Sequence, residues 1–303
     1  IRNLQKNNFK NIFFTNRNEL DFTDKSKVFD YFAKHRFDHM YIAAAKVGGI
    51  KANIDYPVDF LLDNIYIQTN LLSAAFKFNI KRVLFLGSSC IYPKFSELPI
   101  KEDCLLSGKL EPTNEYYALA KISGIKLCEA FNKQYFSNSG NDYRSIMPCN
   151  LYGIGDNYHP ENSHVIPALI NKFHKAKIAN LSEVVVWGSG KAKREFLNVD
   201  DLADACIKFM NIEKNILKTK LPDYISHINV GSGNEISIKK LAFLIAKIVN
   251  YNGQIIFDKN YHEGVHSKIL NNQMIEKICW KPKISLKAGL KQSYEDYLNN
   301  YTI

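Results

Sequence analysis

Apolar positions along the chain fall into compact runs and longer periodic stretches, and the two kinds alternate. Met40-Tyr-Ile-Ala-Ala-Ala45, Arg82-Val-Leu-Phe-Leu-Gly87 and Tyr143 to Met147 are short apolar runs closed by small or polar residues, the pattern of buried strands. Asn11-Ile-Phe-Phe-Thr15 predicts another strand, closed by polar Asn16-Arg-Asn-Glu19. Between the runs, apolar residues recur at helical spacing over Lys25 to His35, Val58 to Phe78 and Glu115 to Tyr135, and Ile1 to Asn8 reads as the tail of a helix. Strands alternating with helices imply βαβ units and a parallel sheet covered on both faces. The fold class is therefore α/β, a Rossmann-like doubly wound parallel sheet.

Beyond Gly153 the rhythm changes. Helical stretches are expected from Ser163 to Lys175, Asp200 to Asn211, Ser237 to Val249 and Ser285 to Tyr297, with strands at Val184 to Trp187, His227 to Val230 and Gln254 to Phe257. This predicts a Rossmann-like domain over 1–156, with 193–213 returning to it, and a smaller α/β substrate domain over 157–303. Such sheets usually open with a strand and a Gly-rich turn. Here the first glycine is Gly48, so that opening is expected to be missing from this chain.

Composition narrows the classes. Hydrophobic residues make up 46% and charged residues 23%, which is globular and not disordered. No run of 18 apolar residues appears, so no membrane span is expected. The net charge of +10 suits phosphorylated ligands or nucleic acid, but the lysines are scattered and no arginine-rich block points to nucleic acid. None of the six cysteines forms a C-x-x-C pair, which argues against zinc knuckles and a disulfide framework and fits a reducing cytoplasm. His159, Glu161 and His164 lie close together but match no metal-ligand spacing, so no metal is expected.

Candidate chemistry centres on Tyr117 and Lys121. Four residues apart on a helix, they share a face, and an ammonium beside a phenol lowers the phenol's pKa. Such a phenol exchanges a proton with a carbonyl or alcohol oxygen, and Ser88, at the end of a predicted strand, is placed to hold the same oxygen. Taken alone, the pair reads more readily as chance neighbours on a solvated helix than as a site.

The surrounding strings carry a resemblance. Ser88-x-x-Ile-Tyr92 followed by Tyr117-x-x-x-Lys121 resembles the extended short-chain dehydrogenases/reductases. Ala43-Ala-Ala-Lys-Val-Gly-Gly-Ile50, Leu86-Gly-Ser-Ser-Cys-Ile-Tyr-Pro-Lys94, Glu111-Pro-Thr-Asn-Glu115, His159-Pro-Glu-Asn-Ser-His-Val-Ile-Pro-Ala168, Val185-Val-Trp-Gly-Ser-Gly190 and Arg194-Glu-Phe-Leu-Asn-Val-Asp-Asp201 are similar to the GDP-L-fucose synthase family within that group. The resemblance implies 3,5-epimerisation and then NADPH-dependent 4-reduction of GDP-4-keto-6-deoxy-D-mannose, by a homodimer. It implies a reductase triad of Ser88, Tyr117 and Lys121, with Cys90 as base and His164 as acid of the epimerisation.

By the same resemblance, Arg17, Ala43, Ala44, Lys46, Asn64, Pro148, Asn150 and Leu151 meet NADP, together with Tyr117, Lys121 and His164. Val165, Leu169 and Trp187 surround the guanine, and Lys172, Arg194 and Lys268 meet the diphosphate. The residue types suit these tasks: a flat indole fits a purine face, and Arg or Lys fits phosphate oxygens. Read without the family, Trp187 is also a fitting core residue, Cys90 a small buried filler and Arg17 an exposed turn arginine. Ser267 and Asn271 stand where the family often has Arg and Asp, and Tyr135 to Asp142 is longer than usual, a predicted surface loop. Three alternatives stay open: an epimerase or a reductase with one activity only, a non-catalytic nucleotide-sugar-binding scaffold, or a nucleic-acid binder.

Overall fold

The computed structural model describes the chain apart from residues 160–162, 223–226, 262–264 and 302–303, and apart from the side chains of 136–139. In chain order the helices are α1 (Arg2–Lys6), α2 (Lys25–Lys34), α3 (Ile50–Asp55), α4 (Pro57–Lys77), α5 (Glu115–Ser139), α6 (Val165–Ile178), α7 (Val199–Asn211), α8 (Lys214–Lys220), α9 (Ile238–Val249), α10 (Gln273–Lys277) and α11 (Leu286–Asn300). The strands are β1 (His39–Ile42), β2 (Arg82–Leu86), β3 (Asp142–Pro148), β4 (Asn150–Tyr152), β5 (Glu183–Trp187), β6 (Lys193–Asn198), β7 (Ile228–Val230), β8 (Glu235–Ser237) and β9 (Gln254–Asp258).

The main sheet is parallel, in the order β1-β2-β3-β7, with Ile42 beside Phe85 and Leu86 beside Ile146. Smaller sheets join β4 to β6 and β8, and β5 to β9 in parallel. The α/β parallel architecture is the one the alternating pattern predicted. Two cores follow. One lies around β1 to β3 and takes in Leu202, Phe209, Ile228, Ile275 and Trp280. The other gathers Phe173, Val184, Val186, Leu241, Ile245 and Tyr297. Helix α7 thus packs with the first core, and so do β7 and the Ile275–Trp280 segment, which lie within the stretch expected to be mainly substrate domain.

Two expectations are corrected. Asn11 to Thr15 forms no strand, and Phe13 and Phe14 stay exposed. A strand exists only through its ladder partners, and among the described residues β1, the edge of the sheet, pairs only with β2. Tyr135 to Asp142 is not a surface loop: α5 continues through Ser139, and Asp142 already begins β3. Nothing in Tyr135-Phe-Ser-Asn-Ser breaks a helix until Gly140, whose φ of 68° reverses the chain.

Close packing of α5 sets the site. A Cβ at Gly124 would come within 2.4 Å of Phe85 Cζ and 2.6 Å of Gln68 Oε1, so only glycine lets α5 settle onto β2 and α4. Gln68 then donates from Nε2 to Ala120 O and to Ser123 Oγ, both at 2.7 Å, and ties the helices together at positions that bracket Lys121.

Candidate active site

A cavity of about 730 Å³ opens beyond the carboxyl ends of the parallel strands, where ligands bind in such sheets. Strand β2 delivers Ser88, whose Oγ accepts from Cys90 N at 3.4 Å and starts a tight helical turn over Ser89–Ile91. That turn points Cys90 into the cavity while burying it at 6% exposure. It is anchored behind by Tyr92, fully buried, whose hydroxyl donates to Asn229 Oδ1 at 2.5 Å and lies 2.8 Å from His227 Nε2. Burial drops the His227 pKa to about 4. A neutral ring facing an already donating phenol is the Nε2–H tautomer.

From α5 come Tyr117, on the cavity wall, and Lys121, buried behind it. The Lys121 ammonium is 5.8 Å from the Tyr117 ring and 4.9 Å from the Phe85 ring, and donates to Leu86 O at 2.8 Å. Desolvation pulls its pKa down to about 8, against a raising influence from Cys90. The phenol is not lowered, as the pairing alone suggested. Burial, reinforced by Cys90, pushes it well above its ordinary value, because the ammonium faces Leu86 O and the ring but not the hydroxyl. Tyr117 is therefore a proton holder, and so a donor, at neutral pH.

The far wall is built by α6. Its first residues sit behind His164, the N-cap, which is open to the cavity and whose imidazole is held below its usual pKa by desolvation. Val165, Leu169 and Lys172 follow on the same helix and line the cavity. Strand β5 adds Trp187, stacked on Tyr261 at 4.6 Å with the Lys172 ammonium 5.4 Å from its centroid. Strand β6 adds Arg194, and Lys268 closes this end. Cys90 is pushed up by burial, opposed by the charge of Lys268, the Ser88 hydrogen bond and the charge of Lys121.

Four of the five expected catalytic residues, Ser88, Cys90, Tyr117 and His164, thus line one cavity with Lys121 directly behind, and all six expected substrate residues line it too. Of the expected cofactor residues only Asn150, Tyr117 and His164 do. Pro148 and Leu151 flank Asn150 in β3 and β4, and Ala43 and Ala44 follow β1. Lys46 is already engaged, its ammonium reaching Asp59 at 2.5 Å and Asp63 at 3.2 Å. Asn64 clamps the same loop, accepting from Lys46 N at 2.9 Å and donating to Lys46 O at 3.0 Å. Arg17 is exposed in a turn. Ser267 faces Glu235, and Asn271 Oδ1 accepts from Gln273 N at 2.9 Å, so neither lines the cavity. Of the His159–Ala168 string, Pro160, Glu161 and Asn162 lie outside the described residues.

The stretch near Tyr117 fits the nicotinamide end of a dinucleotide. Lys121 spends one of three N–H donors on Leu86 O, leaving two for ribose hydroxyls. Sequence reasoning gave no role to Tyr261, which only the β5–β9 pairing brings to Trp187, nor to Asn53, Asn114 and Ser163. Among the described residues no group of three or more His, Cys, Asp or Glu is arranged for a metal ion, and no helix is long and apolar enough to cross a membrane.

A strand-end hydroxyl, a helical Tyr-Lys pair and a parallel sheet recur together in known proteins, and the pattern of the NAD dependent epimerase/dehydratase family matches residues 1–231. The chain belongs to that family. It is 48% identical over 299 residues to a GDP-L-fucose synthase of Escherichia coli (strain K12), covering 99% of this chain and 92% of that one. It is 49% identical over 300 residues to a putative GDP-L-fucose synthase 2 of Arabidopsis thaliana, covering 99% and 88%. Among solved structures it is similar to MlghC, a GDP-mannoheptose C4 reductase from Campylobacter jejuni with NADP bound. That match has 34% identity and a TM-score of 0.87, over 98% of this chain and 93% of that one.

Proposed function

We propose that this protein is an NADPH-dependent epimerase-reductase of the cytosol. It converts GDP-4-keto-6-deoxy-D-mannose to GDP-L-fucose by inverting C3 and C5 and then reducing C4. The observation that carries this reading is the convergence on one cavity of a reducing pair, Ser88 and Tyr117, and an acid–base pair, Cys90 and His164. Names of the similar proteins in Escherichia coli and Arabidopsis thaliana support the substrate. The name of the Campylobacter structure supports NADP.

Each residue has a task its surroundings suit. Ser88 and Tyr117 hydrogen-bond the C4 oxygen, so that a proton leaving C3 or C5 leaves its charge on that oxygen. Cys90 removes the proton, and His164 returns one from the other side of the ring. Cys90 has to be a thiolate to do so. Burial opposes that form, while Lys268, Lys121 and the Ser88 hydrogen bond favour it. When bound, NADPH would supply a hydride, the hydrogen and the electron pair that C4 gains on reduction. Tyr117, its proton held firmly by burial, then gives that proton to the C4 oxygen. Trp187 offers a face to the guanine, and Lys172, Arg194 and Lys268 offer positive charge to the diphosphate.

A single-activity C4 reductase is the second reading, favoured by the name of the Campylobacter relative. Cys90 and His164 in the cavity favour the double activity, because a reductase alone needs neither. Assembly as a homodimer through α4 and α5 is part of the proposal, supported by exposed Val58, Leu62, Tyr66, Tyr116 and Leu119 on those helices.

The test mixes enzyme, ketosugar nucleotide and NADPH, follows absorbance and determines product configuration. No loss of NADPH refutes the reductase, and a reduced product with unchanged C3 and C5 refutes the epimerase. Cys90→Ser is expected to slow deuterium uptake at C3 and C5 far more than reduction of pre-epimerised ketosugar.

A further inference from the structure

Three consecutive residues of β6 hold one irregular segment, residues 265–271, of which Val265 and Lys268 line the cavity. Lys193 N donates to His266 O at 2.8 Å. Arg194 Nη1 donates to Val265 O at 2.7 Å. Glu195 Oε2 accepts from Leu270 N at 2.9 Å. Ser267 Oγ bonds Glu235 of β8, which the Lys193 ammonium also reaches at 2.8 Å. From the other side Ile100 N donates to Ile269 O at 2.9 Å, and Asn271 N donates to Ile100 O at 2.8 Å.

Lys268 is the residue these tethers step over. Its ammonium makes no hydrogen bond or ion pair among the described residues. Its place is therefore set by the bonds of its neighbours. Glu195 is the costly tether. It is fully buried and is not on the cavity wall, and a buried carboxylate is unfavourable unless its oxygens are hydrogen-bonded. Its oxygens are spent on backbone: Oε2 on Leu270 N, and Oε1 on Gly233 N at 2.7 Å. Gly231 lies so close that a Cβ there would be 2.3 Å from Oε1. An apolar side chain would fill the same space without the cost of a buried charge, but it could not fix the backbone at residue 270.

We propose that Glu195 is a positioning residue that, through Leu270, holds Lys268 where a phosphate of the ligand sits. This rests on the reading of the cavity as a GDP-sugar site.

Calorimetric titration with GDP and with guanosine tests it at pH 8, above the Glu195 pKa of about 7. The proteins are the wild type, Glu195→Gln, Glu195→Asp, Lys268→Met and the double variant Glu195→Gln with Lys268→Met. Lys268→Met is expected to weaken GDP about tenfold or more, the loss of a hydrogen bond to a charged group. Glu195→Gln turns an amide donor toward one of the two N–H groups, and Glu195→Asp keeps the charge but draws it back by one methylene. Each should weaken GDP roughly three- to tenfold, and by no more than Lys268→Met, through which Glu195 acts. In the double variant Glu195→Gln should add nothing to the loss caused by Lys268→Met. Guanosine carries no phosphate and should bind all five proteins alike. A general loosening of the fold would weaken guanosine as well and would add to the effect of Lys268→Met. GDP affinity undiminished in both Glu195 variants, an equal loss for guanosine, or an undiminished Glu195 effect in the double variant overturns the positioning role. Wild type that binds neither ligand, or binds GDP no more tightly than guanosine, overturns the GDP-sugar reading itself.

Discussion

The two half-reactions are expected to respond to pH in opposite directions. Burial behind Tyr117 brings the Lys121 ammonium down to about 8. Below that pH the side chain is charged and donates to Leu86 O with donors to spare; above it the charge is lost. One pH unit on either side of the pKa changes the charged fraction from about ten in eleven to about one in eleven. If reduction needs the cation, its rate falls about tenfold between pH 7 and pH 9. Cys90 works the other way. Its thiol is raised by burial, so the thiolate is scarce near neutrality and grows through that same interval. Deuterium uptake at C3 and C5 therefore climbs over the range in which reduction declines. The assay is NADPH consumption on pre-epimerised ketosugar and isotope exchange on the unreduced substrate, both from pH 6.5 to 9.5. Lys121→Met, uncharged throughout, is expected to give a low reduction rate with no decline across the interval. Reduction that is flat or rising through pH 9 in the wild type would refute the role given to the charge of Lys121, and exchange that levels off by pH 7 would refute the thiolate.

Trp187→Ala removes a stacking face worth about 1–3 kcal/mol, so GDP should bind roughly five- to hundredfold more weakly by calorimetry; unchanged affinity places the base elsewhere. Glu195 is fully buried and accepts from Gly233 N at 2.7 Å and Leu270 N at 2.9 Å, yet burial raises its carboxyl to about 7. The folded state then holds this proton to higher pH than the unfolded chain, so the stabilisation is complete below about pH 4.5 and is lost as pH rises through 7. Between pH 5 and 8 the wild type should lose about 2–3 kcal/mol relative to Glu195→Gln in urea unfolding, and parallel pH profiles would contradict this. Leu119→Lys, on the exposed apolar face of α5, is expected to shift sedimentation from dimer to monomer; an unchanged profile would exclude that face.

The alternation of apolar runs with helical periods was enough to specify a parallel α/β fold, because strands buried on both faces and amphipathic helices leave distinct periods in the chain. The same local signals placed Ser88 and Cys90 after a strand, Tyr117 and Lys121 on one helix, and His164 at a helix start. Other features depended on partners distant in sequence. Asn11 to Thr15 has strand composition, but no ladder partner makes it a strand. Tyr261 reaches Trp187 only because β9 pairs with β5. The Tyr117–Lys121 spacing suggested an acidic phenol. Burial and the turn of the ammonium toward Leu86 O produced a phenol that keeps its proton, since desolvation and hydrogen-bond direction are set by packing and leave no mark on residue spacing.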